Sequence, residues 1–205
     1  MAGTGEDRTT AAVEQHPTGA ARPHDGDLER SLLAAGLALV EVGGTPLVTL
    51  AEIAAHAGVG SDEAAALFPS ANELLVQAAI ARCVHELRVS STGAFPPLSA
   101  YAQHFSRHRE FYRAMRIGEV AALLDARMAA LVAPFIAEQI RMVVGSRVSD
   151  DVVATMTAEI TAESFEATNG WIVDGPASAG PESLYVRLEA IVLSHIEGLG
   201  TPFGR

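Results

Sequence analysis

Residues 32–60 read LLAAGLALVEVGGTPLVTLAEIAAHAGVG, a run of helix faces and helix stops. Leu32, Leu33, Gly36, Leu37, Leu39 and Val40 recur at the spacing of about 3.6 residues that puts apolar side chains on one face of a helix. Asp27 stands where it can cap that helix, and Gly43-Gly44 closes it. Thr49-Leu-Ala-Glu52 has the form of a capping box, in which a hydroxyl and a carboxylate satisfy the free amides at a helix start, so a short second helix runs from about Leu50 to His56. Ala57-Gly-Val-Gly60 ends it, because glycine takes the left-handed conformation of a helix stop at little cost. Gly60 or Ser61 then caps a third helix with Asp62 and Glu63 in its first turn. Helix, tight glycine turn, helix is the helix-turn-helix arrangement.

Outward from this stretch the chain continues as helices. After Pro69 and the cap residue Ser70, the segment from Ala71 to about Val89 carries Leu74, Leu75, Ala78, Ala79, Cys83 and Leu87 on one side. A break at 90–97 precedes a helix from Leu98 to Arg109 with Tyr101, Phe105 and His108 aligned; Phe111 to Ile117 either continues it or forms a separate short helix. Glu119 to Val144 is long and amphipathic, with Pro134 as a kink site. A second break at 145–149 follows, and Ser149 caps a helix to about Val173. A Gly-Pro loop then leads to a last helix ending near Gly198, with Leu184, Leu188, Ile191, Val192, His195 and Leu199 in one stripe. No strand-like alternation competes. The reading is all-α: a tail over 1–26 without apolar period, a three-helix head over 27–75, and a larger helical body over 76–205.

Composition narrows the function classes. With 49% hydrophobic residues in 205, the chain can bury a substantial core. No uninterrupted apolar run approaches the roughly 18 to 20 residues of a membrane span, and the polar N-terminus lacks a signal-peptide core, so a cytoplasmic, membrane-free protein is expected. The single cysteine, Cys83, can neither form an intrachain disulfide nor build a zinc site alone. All 14 basic residues are arginine, and the net charge of -11 opposes loose attraction to nucleic acid or anionic lipid.

The block from Leu32 to Gly60, followed by Phe68-Pro69-Ser70 and Leu74, resembles the N-terminal domain of tetracycline-repressor-like (TetR family) transcription regulators. It matches the two apolar residues and small pair of helix one, its closing glycine, the Thr before helix two, the Ile-Ala within it and the Ala-Gly-Val turn. HREFYRAM over 108–115, then Trp171 before a Gly-Pro loop and a closing apolar helix, is more weakly similar to the family's regulatory domain. The resemblance implies a DNA-binding transcription regulator of the repressor type: a homodimer whose heads bind operator DNA and whose bodies bind a small ligand, dimerising through the last two helices. Half-sites near one helical turn apart, or a multiple, follow from two-fold symmetry.

Three family contacts to DNA are replaced here. Where the family places a Tyr, a His and a Lys around helix three, this chain has Ala65, Leu67 and Ala71. From Leu28 to Leu75 one base, Arg30, faces six acids, although neutralising phosphates dominates protein–DNA affinity. Arg30, Thr49, Ser61, Asp62 and Glu63 are the candidate DNA contacts, with Glu63 able to accept from cytosine N4, and Arg8 and Arg22 are candidates for an N-terminal arm. The rival reading is a TetR-fold protein that has lost DNA binding and serves as a small-molecule sensor, carrier or interaction module, with a repurposed enzyme third.

For a ligand, Tyr101, Phe105, Tyr112, Met115, Met128, Phe135, Phe165 and Trp171 are candidate apolar walls, with His108, Arg116 and Asn169 as polar groups. For the dimer, the candidates are Val153, Met156, Ile160, Leu184, Leu188, Ile191 and His195. His104 and His108 share one helix face at a spacing that suits a transition metal, with Glu110 or His85 as a third group, but two ligands do not make a site and no metal is assigned. Gly58 and Gly60 lack the third glycine and the preceding strand of a dinucleotide loop. There is no nucleophile elbow, zincin motif or phosphate loop, and Glu159, Glu163 and Glu166 read as a solvated face, so neither an enzyme nor a cofactor is expected.

Overall fold

The computed structural model describes residues 25–90, 97–145 and 148–200. The expected flexible tail with Arg8 and Arg22 and most of the break at 90–97 lie outside the described residues. Among those described, all regular structure is helical: α1 (Asp25–Gly43), α2 (Leu50–Ala57), α3 (Ser61–Leu67), α4 (Ala71–Val89), α5 (Leu98–Arg107), α6 (Arg109–Ala114), α7 (Glu119–Val144), α8 (Asp150–Val173) and α9 (Pro181–Gly200).

The head forms as its punctuation dictates, with one shift. α1 begins at Asp25, and Asp27, expected as its cap, instead pairs with Arg30 one turn on at 2.8 Å. At the start of α2 the Thr49 hydroxyl accepts from the Glu52 amide at 3.2 Å, while the Glu52 carboxylate accepts from the Thr49 amide at 2.7 Å. Gly58, at φ 68°, ends α2 in the left-handed conformation and turns the chain toward α3. α3 meets α4 at 67°. Leu32, Ile53, Ala64, Phe68, Leu74 and Leu75 fill the space between these helices and are buried. Gly36 lets α1 approach α4 closely, since a Cβ there would lie 2.7 Å from Cδ2 of Leu74.

α4 runs unbroken past Leu75, so head and body share this helix. Its expected apolar side is buried, Cys83 and Leu87 included, and burial pushes the Cys83 thiol up to about 12. The helix expected over 98–109 stops at Arg107. His108 breaks it (φ -108°, ψ 25°), and α6 follows as a separate short helix. α7 passes through Pro134 as one helix. By length and composition α7 is apolar enough to cross a membrane, with a mean hydropathy of 1.8 over an 18-residue window. It nonetheless packs between α4 and α8, and its two central charges are engaged: Asp125 by Arg116 at 2.5 Å and Arg127 by Glu73 of α4 at 3.4 Å.

Ser149 caps α8 as expected, accepting from the Val152 amide at 3.5 Å. The far end of α8 is held by Arg109. Its guanidinium donates to the carbonyls of Trp171 (2.7 Å), Ile172 (3.3 Å), Gly175 (2.5 Å) and Pro176 (2.8 Å), and it stacks on the Trp171 ring. A cation suits this position, where the last carbonyls of a helix have no intrahelical donor.

Candidate functional site

Thr49, Ser61, Asp62 and Glu63 are exposed where α2 and α3 present their starts to solvent. Thr49 and Glu63 already spend polar capacity within the head. The Thr49 hydroxyl accepts from the Glu52 amide and donates to the Glu52 carboxylate at 2.8 Å. Glu63 accepts from the Gly60 amide at 3.1 Å, which secures the turn into α3, and Arg30 is paired with Asp27. α2 and α3 carry no arginine or lysine, so this face offers phosphate mainly hydroxyls and backbone amides.

A second constellation lies where α4 meets α5. The carboxylate of Glu86 spans two imidazoles, with Oε2 3.1 Å from Nδ1 of His104 and Oε1 2.7 Å from Nε2 of His108. Arg107 donates to the same Oε2 at 3.0 Å from an exposed position, and Nε2 of His104 lies 2.7 Å from the Tyr112 hydroxyl. Burial works to raise the Glu86 pKa, but the hydrogen bonds from both histidines and their charges outweigh it and hold the carboxyl at about 2. Burial lowers His104 to about 4 against the opposing pull of Glu86. Its charge therefore acts on Glu86 only below that pH, and near neutrality hydrogen bonding from a neutral His104 does the holding. Because an ionised carboxylate only accepts, Nδ1 of His104 carries its proton and the bare Nε2 accepts from Tyr112.

His104 and His108 share a face as their spacing implies, with ring centroids 5.0 Å apart, but neither His85 nor Glu110 joins them. His85 is exposed, and Glu110 pairs with Arg113 at 2.9 Å. Glu86 was missed. The signal available was an acid set three residues from Cys83 and one from Leu87, at the edge of a buried stripe.

The expected ligand walls divide. Phe105, Tyr112, Met115, Met128 and Trp171 are buried core, with Phe105 and Tyr112 rings 4.5 Å apart and the Tyr101 ring tilted against Phe105 at 4.6 Å; Phe135 is exposed on α7. Two open concavities lie beside them. One, of about 540 Å³, runs along α1, α5 and α6 and includes His108. The other, of about 550 Å³, is an apolar groove between α7 and α8, floored by alanines and Phe165 and including Asp125 and Thr161. At its side Asp125 accepts from Arg116 and from Asn169 at 3.4 Å. Nε of Arg116, Oδ1 of Asn169 and the Thr161 hydroxyl are buried without a hydrogen-bond partner. Neither concavity includes His104 or Tyr112.

Of the seven residues expected at a dimer face, five are covered by their own chain. Val153, Met156 and Ile160 fill a small core with Ile140 and Val144, and Leu184 and Leu188 belong to the main core. The helical stripe that suggested an interface thus packs inward. Ile191 and His195 are half-buried, and His195 lies 3.5 Å from Glu163 and 3.8 Å from Glu159, at the exposed acidic face of α8. Outward on the same helices stand Val152, Val186 and Leu193.

No family model matches the chain, and no curated protein matches it in sequence. Among solved structures, a candidate transcriptional regulator from Pseudomonas aeruginosa PAO1 superposes with a TM-score of 0.56 at 18% identity, over 90% of this chain and 97% of that one. The likeness is one of fold, and it extends through head and body together.

Proposed function

We propose that this chain is a TetR-like transcription regulator, a cytoplasmic homodimer that binds operator DNA through its helix-turn-helix heads and responds to a small apolar or amphipathic ligand. The observation that carries this reading is the head itself: α2 and α3, joined at the left-handed Gly58, stand on α1 and α4 with their starts exposed. That is the arrangement by which such folds enter a major groove. The similar fold of a candidate transcriptional regulator supports it. Arg30, Thr49, Ser61, Asp62 and Glu63 are the proposed contacts.

The groove between α7 and α8 is the proposed ligand site. Apolar walls that include Thr161, whose buried hydroxyl has no partner, and Asp125, which Arg116 and Asn169 hold from behind, suit a ligand with an apolar body and a polar end. Dimerisation is proposed through the outward side of α8 and α9, around Val152, Val186 and Leu193.

Selection of bound fragments from a genomic duplex library tests the reading. Recovery of a two-fold symmetric sequence with half-sites about one helical turn apart is expected. Recovery of no enriched sequence overturns it.

A second reading has its own observation. The exposed start of α3 presents Asp62 and Glu63 and no cation, and desolvating acids against a polyanion is unfavourable. On that reading the head is retained as scaffold, and the chain works as a sensor, carrier or interaction module through its body.

A further inference from the structure

The geometry points to a binding site for a divalent first-row transition metal ion of the zinc type, formed by Glu86, His104 and His108 where α4 meets α5. One donor atom from each lies within 4.8 Å of the other two. An ion about 2.0 to 2.2 Å from each of three nitrogen and oxygen ligands needs donors separated by about 3 to 3.5 Å. Glu86 already stands 3.1 Å from His104 and 2.7 Å from His108, so a small spreading of side chains admits the ion.

Three further features distinguish this cluster from an ordinary hydrogen-bonded network. Two imidazoles and a carboxylate are a donor set suited to zinc and its neighbours, whereas calcium and magnesium take oxygen. When Nδ1 of His104 takes an ion, the ring proton moves to Nε2, which then donates to the Tyr112 hydroxyl oxygen 2.7 Å away, and an acceptor on the non-ligating nitrogen is what orients a metal-bound histidine. Finally, His108 and Glu86 reach the surface, and the cation over them, Arg107, is itself exposed and free to swing into solvent when the ion takes its place.

Such an ion would tie the end of α4 to α5. Because α4 also packs against α1 in the head, occupancy would stiffen the helix that joins head to body. The site itself does not depend on the DNA-binding proposal, and its test reads metal directly.

Tag-free full-length protein titrated with Zn2+ by calorimetry, and with Co2+ by visible absorption, is the experiment. One ion per chain is expected, with Co2+ ligand-field bands and a raised Tm in excess Zn2+. E86Q and H108Q should each weaken binding at least tenfold, with circular dichroism confirming the fold. H85N should leave binding unchanged, and R107A should tighten it several-fold by removing the competing cation. H108Q alters a partly exposed side chain and keeps the test decisive if E86Q fails to fold. Absence of binding by folded protein, or binding that survives both E86Q and H108Q, overturns the proposal.

Discussion

The Tyr112 hydroxyl sits 2.7 Å from Nε2 of His104, and the two are linked in the interior because the other ring nitrogen is committed to Glu86. Tyr112 is therefore the donor, and burial raises its pKa well above the ordinary value, so it remains protonated through any physiological pH. Tyr112→Phe removes that donor and leaves a buried imidazole nitrogen unpartnered. A loss of about 1 to 3 kcal/mol is expected, read as a lower urea midpoint at unchanged m-value. An unaltered midpoint would show that the bond contributes nothing to stability.

The same chain sets an acid response. His104 holds a pKa of about 4 against an ordinary 6.5, so the unfolded chain takes up a proton at a pH where the folded one resists it. The contribution is present above about pH 6.5 and is lost as pH falls toward 4. Glu86, held at about 2 against 4.5, adds a second loss below pH 4.5. Unfolding free energy should thus fall with pH across 6.5 to 4, and His104→Gln should flatten that slope. A slope identical in the two proteins would remove His104 from the account of acid stability.

Arg109 offers a test of how the body is closed. It serves four carbonyls at the end of α8 from a buried position, and lysine cannot reproduce the planar fork. Arg109→Lys should cost about 2 to 4 kcal/mol in chemical denaturation. A loss below about 0.5 kcal/mol, the scale of an ordinary surface substitution, would mean that solvent replaces these bonds.

At Gly36 two effects oppose each other. Alanine is the better helix former by roughly 1 kcal/mol, but its Cβ would lie 2.7 Å from Leu74 and 3.1 Å from Leu75. Overpacking of this kind costs about 1 to 3 kcal/mol. Gly36→Ala should therefore destabilise the head, and a raised Tm would show that α1 and α4 separate easily.

The head was legible because its determinants are local. Thr49 with Glu52, Gly58, and Glu63 beside Gly60 each act within four residues, and each sits where its spacing implies. The body was legible as helices but not as a site. Glu86 meets His104 across 18 residues, and Arg109 meets the end of α8 across more than 60, distances over which no local period carries information. The stripes on α8 and α9 illustrate the same limit. Periodicity identifies Val153, Ile160, Leu184 and Leu188 as a face, and only packing shows that their own chain covers it.

Whether the head binds DNA is read by fluorescence anisotropy of a labelled duplex from the protein's own upstream region, at low and moderate salt and against an unrelated duplex. A working head binds its own duplex in preference, and with few cations to release counterions its affinity falls only shallowly with salt, by a log-log slope of about -0.9 for each phosphate neutralised. A folded dimer that leaves both duplexes unbound at low salt would contradict DNA binding by the head and leave α3, with Asp62 and Glu63 at its start, as the scaffold of a sensor.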